Sequence, residues 1–244
     1  MESGLRFPKR NNKNLNTIKK FVLVNDPGPP ADFSFKCVNN MQDVLLEEPR
    51  PGVKLLRRSK DGKLITQSIR LNNNTLTDLS HFTQVIERVL KDPSHLCWID
   101  LSFNDLASIE PVLTVFPSLS VLNLHGNSIS HLSEVDKLAT VHSLKSLTLH
   151  GNPIETEKGY RSYVLSILPT LKSFDFSGVT KQDRTTAEVW RRMFVKPKRD
   201  ALLDELHSDM QLQHSDSDST LSSDSEGERQ EQNRVSSASS AVPD

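Results

Sequence analysis

Residues 119–129 read LSVLNLHGNSI, which places Leu119, Leu122, Leu124, Asn127 and Ile129 at positions one, four, six, nine and eleven of a short unit. The same spacing returns in Leu144, Leu147, Leu149, Asn152 and Ile154, and again in Leu96, Ile99, Leu101, Asn104 and Leu106. An earlier copy has Thr66 in the first place, followed by Ile69, Leu71, Asn74 and Leu76. A terminal copy keeps Leu171, Phe174 and Phe176 and carries Val179 in the asparagine place. The asparagines at 74, 104, 127 and 152 are 30, 23 and 25 residues apart, the period of stacked units that bury their apolar sides only against one another.

This pattern dictates an α/β leucine-rich repeat solenoid with a parallel β-sheet on the concave face, helices or turns on the convex face, and capped ends. Positions four and six share one face of a short strand because side chains alternate, so they fill the core while positions three, five and seven face outward. Asn74, Asn104, Asn127 and Asn152 are read as structural, their amides satisfying backbone groups at the turn that leaves each strand. The outward columns are then Ser68, Trp98, Val121, Ser146 and Ser173; Arg70, Asp100, Asn123, Thr148 and Asp175; and Asn72, Ser102, His125, His150 and Ser177. A partner-binding face is expected over Trp98, Arg70, Asp100, Val121, Asn123, His125, Thr148, His150 and Asp175, with Trp98 as the candidate anchor because tryptophan dominates interface energetics.

Between strands, Leu79, Phe82, Ile86 and Val89 fall at helical spacing and predict a helix of about three turns that stops at Asp92-Pro93. The spacers Glu110 to Phe116 and Ser133 to Val141 are shorter. Tyr160, Tyr163, Val164 and Ile167 predict a helix before the last strand, and Thr180 with Asp183 reads as a capping box that opens another, running towards Pro197. Cys37 to Glu47 is expected to form an N-terminal capping helix. The organisation expected is a basic, disordered N-terminal segment and Pro-rich linker over 1–29 and a repeat domain over 30–199. Its repeats lie near 66–95, 96–118, 119–143 and 144–170, with a cap over 171–199, and an acidic, Ser-rich disordered tail covers 200–244.

Among the 244 residues, 30 are Lys or Arg and 31 are Asp or Glu, a net charge of -1 that argues against wholesale polyanion binding. The opening residues show no apolar stretch of a secretory signal, and two cysteines make no disulfide framework, so a cytoplasmic location is expected. There is no nucleophile elbow, phosphate-binding loop, dinucleotide fingerprint or paired-cysteine motif, so no enzyme, no catalytic residue and no cofactor are expected. His125 and His150 should lie ~4.8 Å apart on adjacent strands, but two ligands without companions do not make a metal site, and none is assigned. In the tail, Ser215, Ser223 and Ser225 each precede an acid by three residues, which suits an acid-directed kinase. Their phosphates are expected to favour docking onto the basic cluster Arg191, Arg192, Lys196, Lys198 and Arg199.

The closing run GYRSYVLSILPTLKSFDF resembles the terminal cap shared by phosphatase-regulator leucine-rich proteins, the U2 snRNP A-prime protein and the axonemal dynein leucine-rich light chain. Over residues 29–199 the chain is more closely similar to the leucine-rich repeat-containing protein 51 family, through PPADFSFKCVNNMQDVLLEEPR, WIDLSFNDL, LHGNSI, LTLHGNP and FDFSGVTKQDRTTAEVWRRM. The resemblance implies a non-enzymatic cytoplasmic protein-interaction scaffold, monomeric on its own, with a ciliary, axonemal or cytoskeletal setting as one extension. The alternative it raises is a component of an RNA particle. RNA binding tends to interleave aromatic and basic groups on the exposed face, and Trp98 stands alone there, so a protein partner rather than nucleic acid or membrane is expected.

The boundaries predict that limited proteolysis trims both ends and leaves a fragment near 30–199, because no core-forming pattern lies outside the repeats. Cleavage within 96–176 at a comparable rate, read by mass spectrometry, would refute them.

Overall fold

Each repeat contributes two or three extended residues and a turn, and the strands stack in sequence order. The computed structural model describes residues 28–195. The sheet runs β1 (Ala31–Asp32), β2 (Ser68–Arg70), β3 (Trp98–Asp100), β4 (Val121–Asn123), β5 (Ser146–Thr148), β6 (Ser173–Phe174) and β7 (Ser177–Gly178). The first six pair in parallel, and β7 returns antiparallel on β6. Ile69, Ile99, Leu122, Leu147 and Phe174 lie in one register column, and with Leu71, Leu101, Leu124 and Leu149 they form the spine of the core. The N-terminal segment 1–27, the tail serines 215, 223 and 225, and Lys196, Lys198 and Arg199 lie outside the described residues.

The asparagines bind the stack together. Asn127 Nδ2 donates to Leu124 O in its own repeat (2.9 Å) and to Leu101 O in the previous one (3.0 Å), while its Oδ1 accepts Leu106 N (3.0 Å). Asn104 and Asn152 repeat this pattern one unit away on either side. Asn74 donates to Leu71 O and Phe33 O and accepts Lys36 N and Val38 N. Thr66 holds the first, normally apolar place of its repeat because its hydroxyl donates to Pro29 O at 2.7 Å.

These bonds to Phe33 and Lys36 mark a further strand, N-terminal to the asparagine-bearing repeats. Ala31, Phe33 and Val38 take positions four, six and eleven of an N-terminal copy, with Lys36 where the others have asparagine. Without a carboxamide to mark it, this copy reads as a plain linker. The expected capping helix over Cys37 to Glu47 is a 3-10 helix, Met41–Leu46, whose Asn40 and Asp43 form a reciprocal capping box. On the convex side, α1 (Phe82–Val89) makes about two turns rather than three. It is shorter because it starts only at Phe82, after His81 in the left-handed region, and it stops at Val89, where Leu90 turns extended and bridges Leu64. The shorter spacers are 3-10 helices, Pro111–Val115 and Leu132–Thr140.

The last copy departs from expectation. Phe176, aligned with the core leucines, is 70% exposed. Asp175 and Phe176 are both left-handed (φ 47° and 58°), so the chain reverses after Phe174 into the β6–β7 hairpin instead of extending to a sixth position. No residue in the Val179 place is needed to bridge a further repeat, and Val179 packs partly buried against the core. The end is sealed by α2 (Tyr160–Ile167) and α3 (Lys181–Trp190), the latter opened by the Thr180/Asp183 capping box. Arg184 of α3 donates to the carbonyls of Leu165, Leu168 and Leu171 that face the open side. Trp190 lies over Gly159, where a Cβ would stand 2.6 Å from the indole nitrogen.

Removing the Asn127 carboxamide leaves the buried Leu106 N–H without its acceptor and takes one of two amide donors from each of the Leu101 and Leu124 carbonyls, which Asn104 and Asn152 still serve. Asn127→Ala should therefore destabilise the domain by roughly 1–3 kcal/mol, and the core truncation Leu124→Ala by ~2–5 kcal/mol. The neighbouring Asn123 receives only a 3.5 Å contact from Thr148 Oγ1, so Asn123→Ala should cost under about 1 kcal/mol. Urea unfolding of the three variants checks the ordering, and equal losses at 123 and 124 would mean the faces are exchanged.

Candidate functional site

The outward rows differ in what they expose. In the position-three row, Ser68, Trp98, Val121, Ser146 and Ser173 are all half-buried. The Trp98 indole N–H is shielded and has no partner among the described residues. Arg70 reaches across to Asp32 of β1 (3.3 Å). The expected contact residues Asp100, Asn123 and Thr148 are instead buried, Thr148 to 1%. Short polar side chains on strands ~4.8 Å apart cover one another, and these turn inward to local partners. Asp100, for example, accepts Ser102 N (3.2 Å) and Ser102 Oγ (2.6 Å). Asp175 is drawn into the cap: its carboxylate accepts Leu149 N (2.7 Å), His150 N (3.0 Å) and the Tyr160 hydroxyl (2.8 Å). Ser177 has left its expected column for β7.

What the concave side does present is a run of rings at the ends of the strands. His125 and His150 stack with centroids 4.7 Å apart and planes 9° from parallel. Phe103 meets His125 edge-on at 5.1 Å, and Phe176 lies 5.5 Å from His125 and 5.4 Å from His150. Phe103 and Phe176 are 52% and 70% exposed, while the imidazoles are half-buried between them. The contiguity comes from the turn after each strand. Its second residue is left-handed in every copy: Phe35, Asn73, Phe103, Gly126 and Gly151. Glycine at 126 leaves room for the Phe103 ring, which would stand 2.6 Å from a Cβ there. A phenylalanine held at φ 52°, in the slot that glycine fills in the next two repeats, is the sequence signal that repeat matching passes over. Phe35 occupies the equivalent slot of the first copy, with the Arg50 guanidinium 5.4 Å over its ring. Phe176 had no such signal, because its place in the pattern assigned it to the core.

Burial holds the His125 imidazole below its ordinary range, and the neighbouring His150 adds to this, against the pull of Asp100 and Asp175. Burial and the Asp175 charge push the Tyr160 phenol well above its usual range, so it remains a hydrogen-bond donor to that carboxylate. Among the described residues no group of three or more His, Cys, Asp or Glu side chains converges as metal ligands do, and no helix is long and apolar enough to cross a membrane.

Comparison with known proteins places this geometry among relatives. A family model described as leucine-rich repeat matches residues 66–205. Leucine-rich repeat-containing protein 51 of Macaca mulatta is 63% identical over 171 residues, which cover 70% of this chain and 89% of that protein. The probable U2 small nuclear ribonucleoprotein A' of Caenorhabditis elegans is 30% identical over 143 residues, 58% of this chain and 53% of that protein. The solved Drosophila melanogaster SNF/U2A' complex contains a chain 25% identical, with a TM-score of 0.46, covering 63% of this chain and 84% of that one.

Because the folded chain holds His125 below the ordinary imidazole value of 6.5, the unfolded chain takes up that proton first as pH falls. More protons bound in the unfolded state means that stability declines below pH 6.5. Urea unfolding of wild type and His125→Gln between pH 7.5 and 5 should show a steeper decline in the wild type. Parallel curves would contradict the assignment.

Proposed function

We propose a partner-binding role for this chain, which belongs to the leucine-rich repeat family and, within it, to the family of leucine-rich repeat-containing protein 51. Leucine-rich repeats are a protein-interaction domain type. The proposed function is that of a non-enzymatic, cytoplasmic scaffold that takes a protein partner on its concave side, with a ciliary, axonemal or cytoskeletal assembly as the first setting to test. The observation that carries it is the exposed ring cluster of Phe103, His125, His150 and Phe176. Aromatic side chains presented on a rigid sheet lose little conformational entropy on binding and supply large contact area. Trp98, two positions before the end of β3, extends the aromatic content along the same face.

A second reading, membership of an RNA particle, draws on the similarity to the Caenorhabditis elegans protein. The ring cluster speaks against it, since among the described residues no Lys or Arg stacks on or pairs with these four rings, and single-stranded RNA recognition combines stacking platforms with cationic grooves.

The test is affinity purification from ciliated and non-ciliated cells with wild type, Trp98→Ala and the double variant Phe103→Asn/Phe176→Asn. Asparagine is chosen because it tolerates the left-handed backbone at both positions. Partners should be recovered with wild type, insensitive to ribonuclease, and fall about tenfold or more with the double variant. Recovery unchanged by the double variant would move the docking surface elsewhere, and recovery abolished by ribonuclease would favour the RNA particle.

A further inference from the structure

We propose that the stacked imidazoles of His125 and His150, with Phe103 and Phe176 beside them, form a docking site for an arginine side chain of the partner protein, an assignment that rests on the concave ring cluster being the partner-binding surface. The first support is that both rings make their polar contacts through Nδ1 and leave Nε2 open. The proposed arrangement puts the Thr148 hydrogen on Asn123 Oδ1 (3.5 Å) and has Thr148 Oγ1, 2.8 Å away, accept from His125 Nδ1. The Asp175 carboxylate can only accept, and its Oδ1 lies 3.4 Å from His150 Nδ1. With each ring in its neutral form and the proton on Nδ1, Nε2 is left as a bare acceptor on the ring edge away from those partners. Neither Nε2 has a partner among the described residues. Two acceptors on rings stacked 4.7 Å apart ask for a ligand with several N–H donors in a fixed array.

Charge points the same way. Asp100 and Asp175 both act electrostatically on His125, and Glu155, which holds Gly151 N at 2.7 Å, adds a third carboxylate nearby. Arg161, the cation that the contacts place at this end, is paired with Asp183 and bonded to Ser177 Oγ and Phe174 O, and the Tyr160 hydroxyl that faces Asp175 is neutral. The exposed phenyl rings supply the remaining feature, π-surface on which a cation is stabilised. Arginine meets all three demands at once: it is permanently charged, planar enough to lie along a ring, and carries five N–H donors. Lysine offers a compact, strongly hydrated point charge that stacks poorly. Protonating either imidazole converts an acceptor into a donor and adds like charge, so the site closes to arginine in acid.

The experiment records side-chain spectra of the isotope-labelled full chain during titration with acetyl-Gly-Arg-Gly-amide, and separately with acetyl-Gly-Leu-Gly-amide. At pH 7.5 the arginine peptide should produce saturable shifts of the His125 and His150 Nε2 resonances and of the Phe103 and Phe176 ring signals. The apparent affinity should fall about tenfold at pH 5. Equal or larger shifts with the leucine peptide, or none with either, would overturn the assignment. If the double asparagine variant loses its cellular partners while the arginine peptide leaves these signals unmoved, arginine docking fails and the concave reading stands. Peptide binding alongside undiminished partner recovery has the reverse meaning.

Discussion

A single carboxamide per repeat, shared between two turns, is the constraint around which the rest of this domain is arranged. Each of Asn104, Asn127 and Asn152 donates to a carbonyl of its own repeat and to the equivalent carbonyl of the repeat before, then accepts a backbone N–H from the segment beyond that one. These groups are buried and out of reach of solvent, so they must be satisfied inside the protein. Because one amide serves two repeats, the strands are obliged to stack in register at a fixed spacing. The apolar positions then fall into continuous columns, and the concave rows into parallel ones.

A chain of shared amides has to stop, and the two ends stop it by different chemistry. At the N-terminal end, the copy containing Ala31 and Phe33 has lysine in the asparagine place. Asn74 is the first amide, and it accepts two backbone N–H groups where the later ones accept one. At the other end Asp175 stands beside the turn. A carboxylate accepts but cannot donate, so it takes Leu149 N and His150 N and passes nothing forward. The Tyr160 hydroxyl occupies its other oxygen, and Arg184 takes up the carbonyls left facing outward. The bidentate pair of Arg161 with Asp183 fixes α3 against that end, and the same aspartate closes the helix's capping box.

The device that ends the solenoid also completes its candidate site. Two consecutive left-handed residues reverse the chain at Asp175 and Phe176, and the reversal carries Phe176 from the core side to the concave side. There it bridges the two stacked imidazoles, while Phe103 approaches from the opposite flank over Gly126. The ring cluster is therefore a product of four separate turns, those that follow β3, β4, β5 and β6. Burial keeps the His125 imidazole below its ordinary range, and the Asp100 and Asp175 carboxylates that act on it are committed to backbone and hydroxyl donors.

Sequence alone determined the repeat, its core columns and the bridging role of the asparagines, because those properties depend on spacing and on the donor and acceptor count of one residue type. It also located α2, the capping box of α3 and the proximity of His125 to His150, which follow from local periodicity and strand separation. Tertiary structure decided the rest. The first strand lacks the marker residue and is a strand through its pairing with β2, with Phe33 O beyond it accepting the Asn74 amide of the neighbouring repeat. Asp100, Asn123 and Thr148 face outward by parity yet are covered by their neighbours, since exposure depends on what stands 4.8 Å to either side. Phe176 changes face because the cap turns the backbone there, and a face assignment by alternation holds only while the chain stays extended.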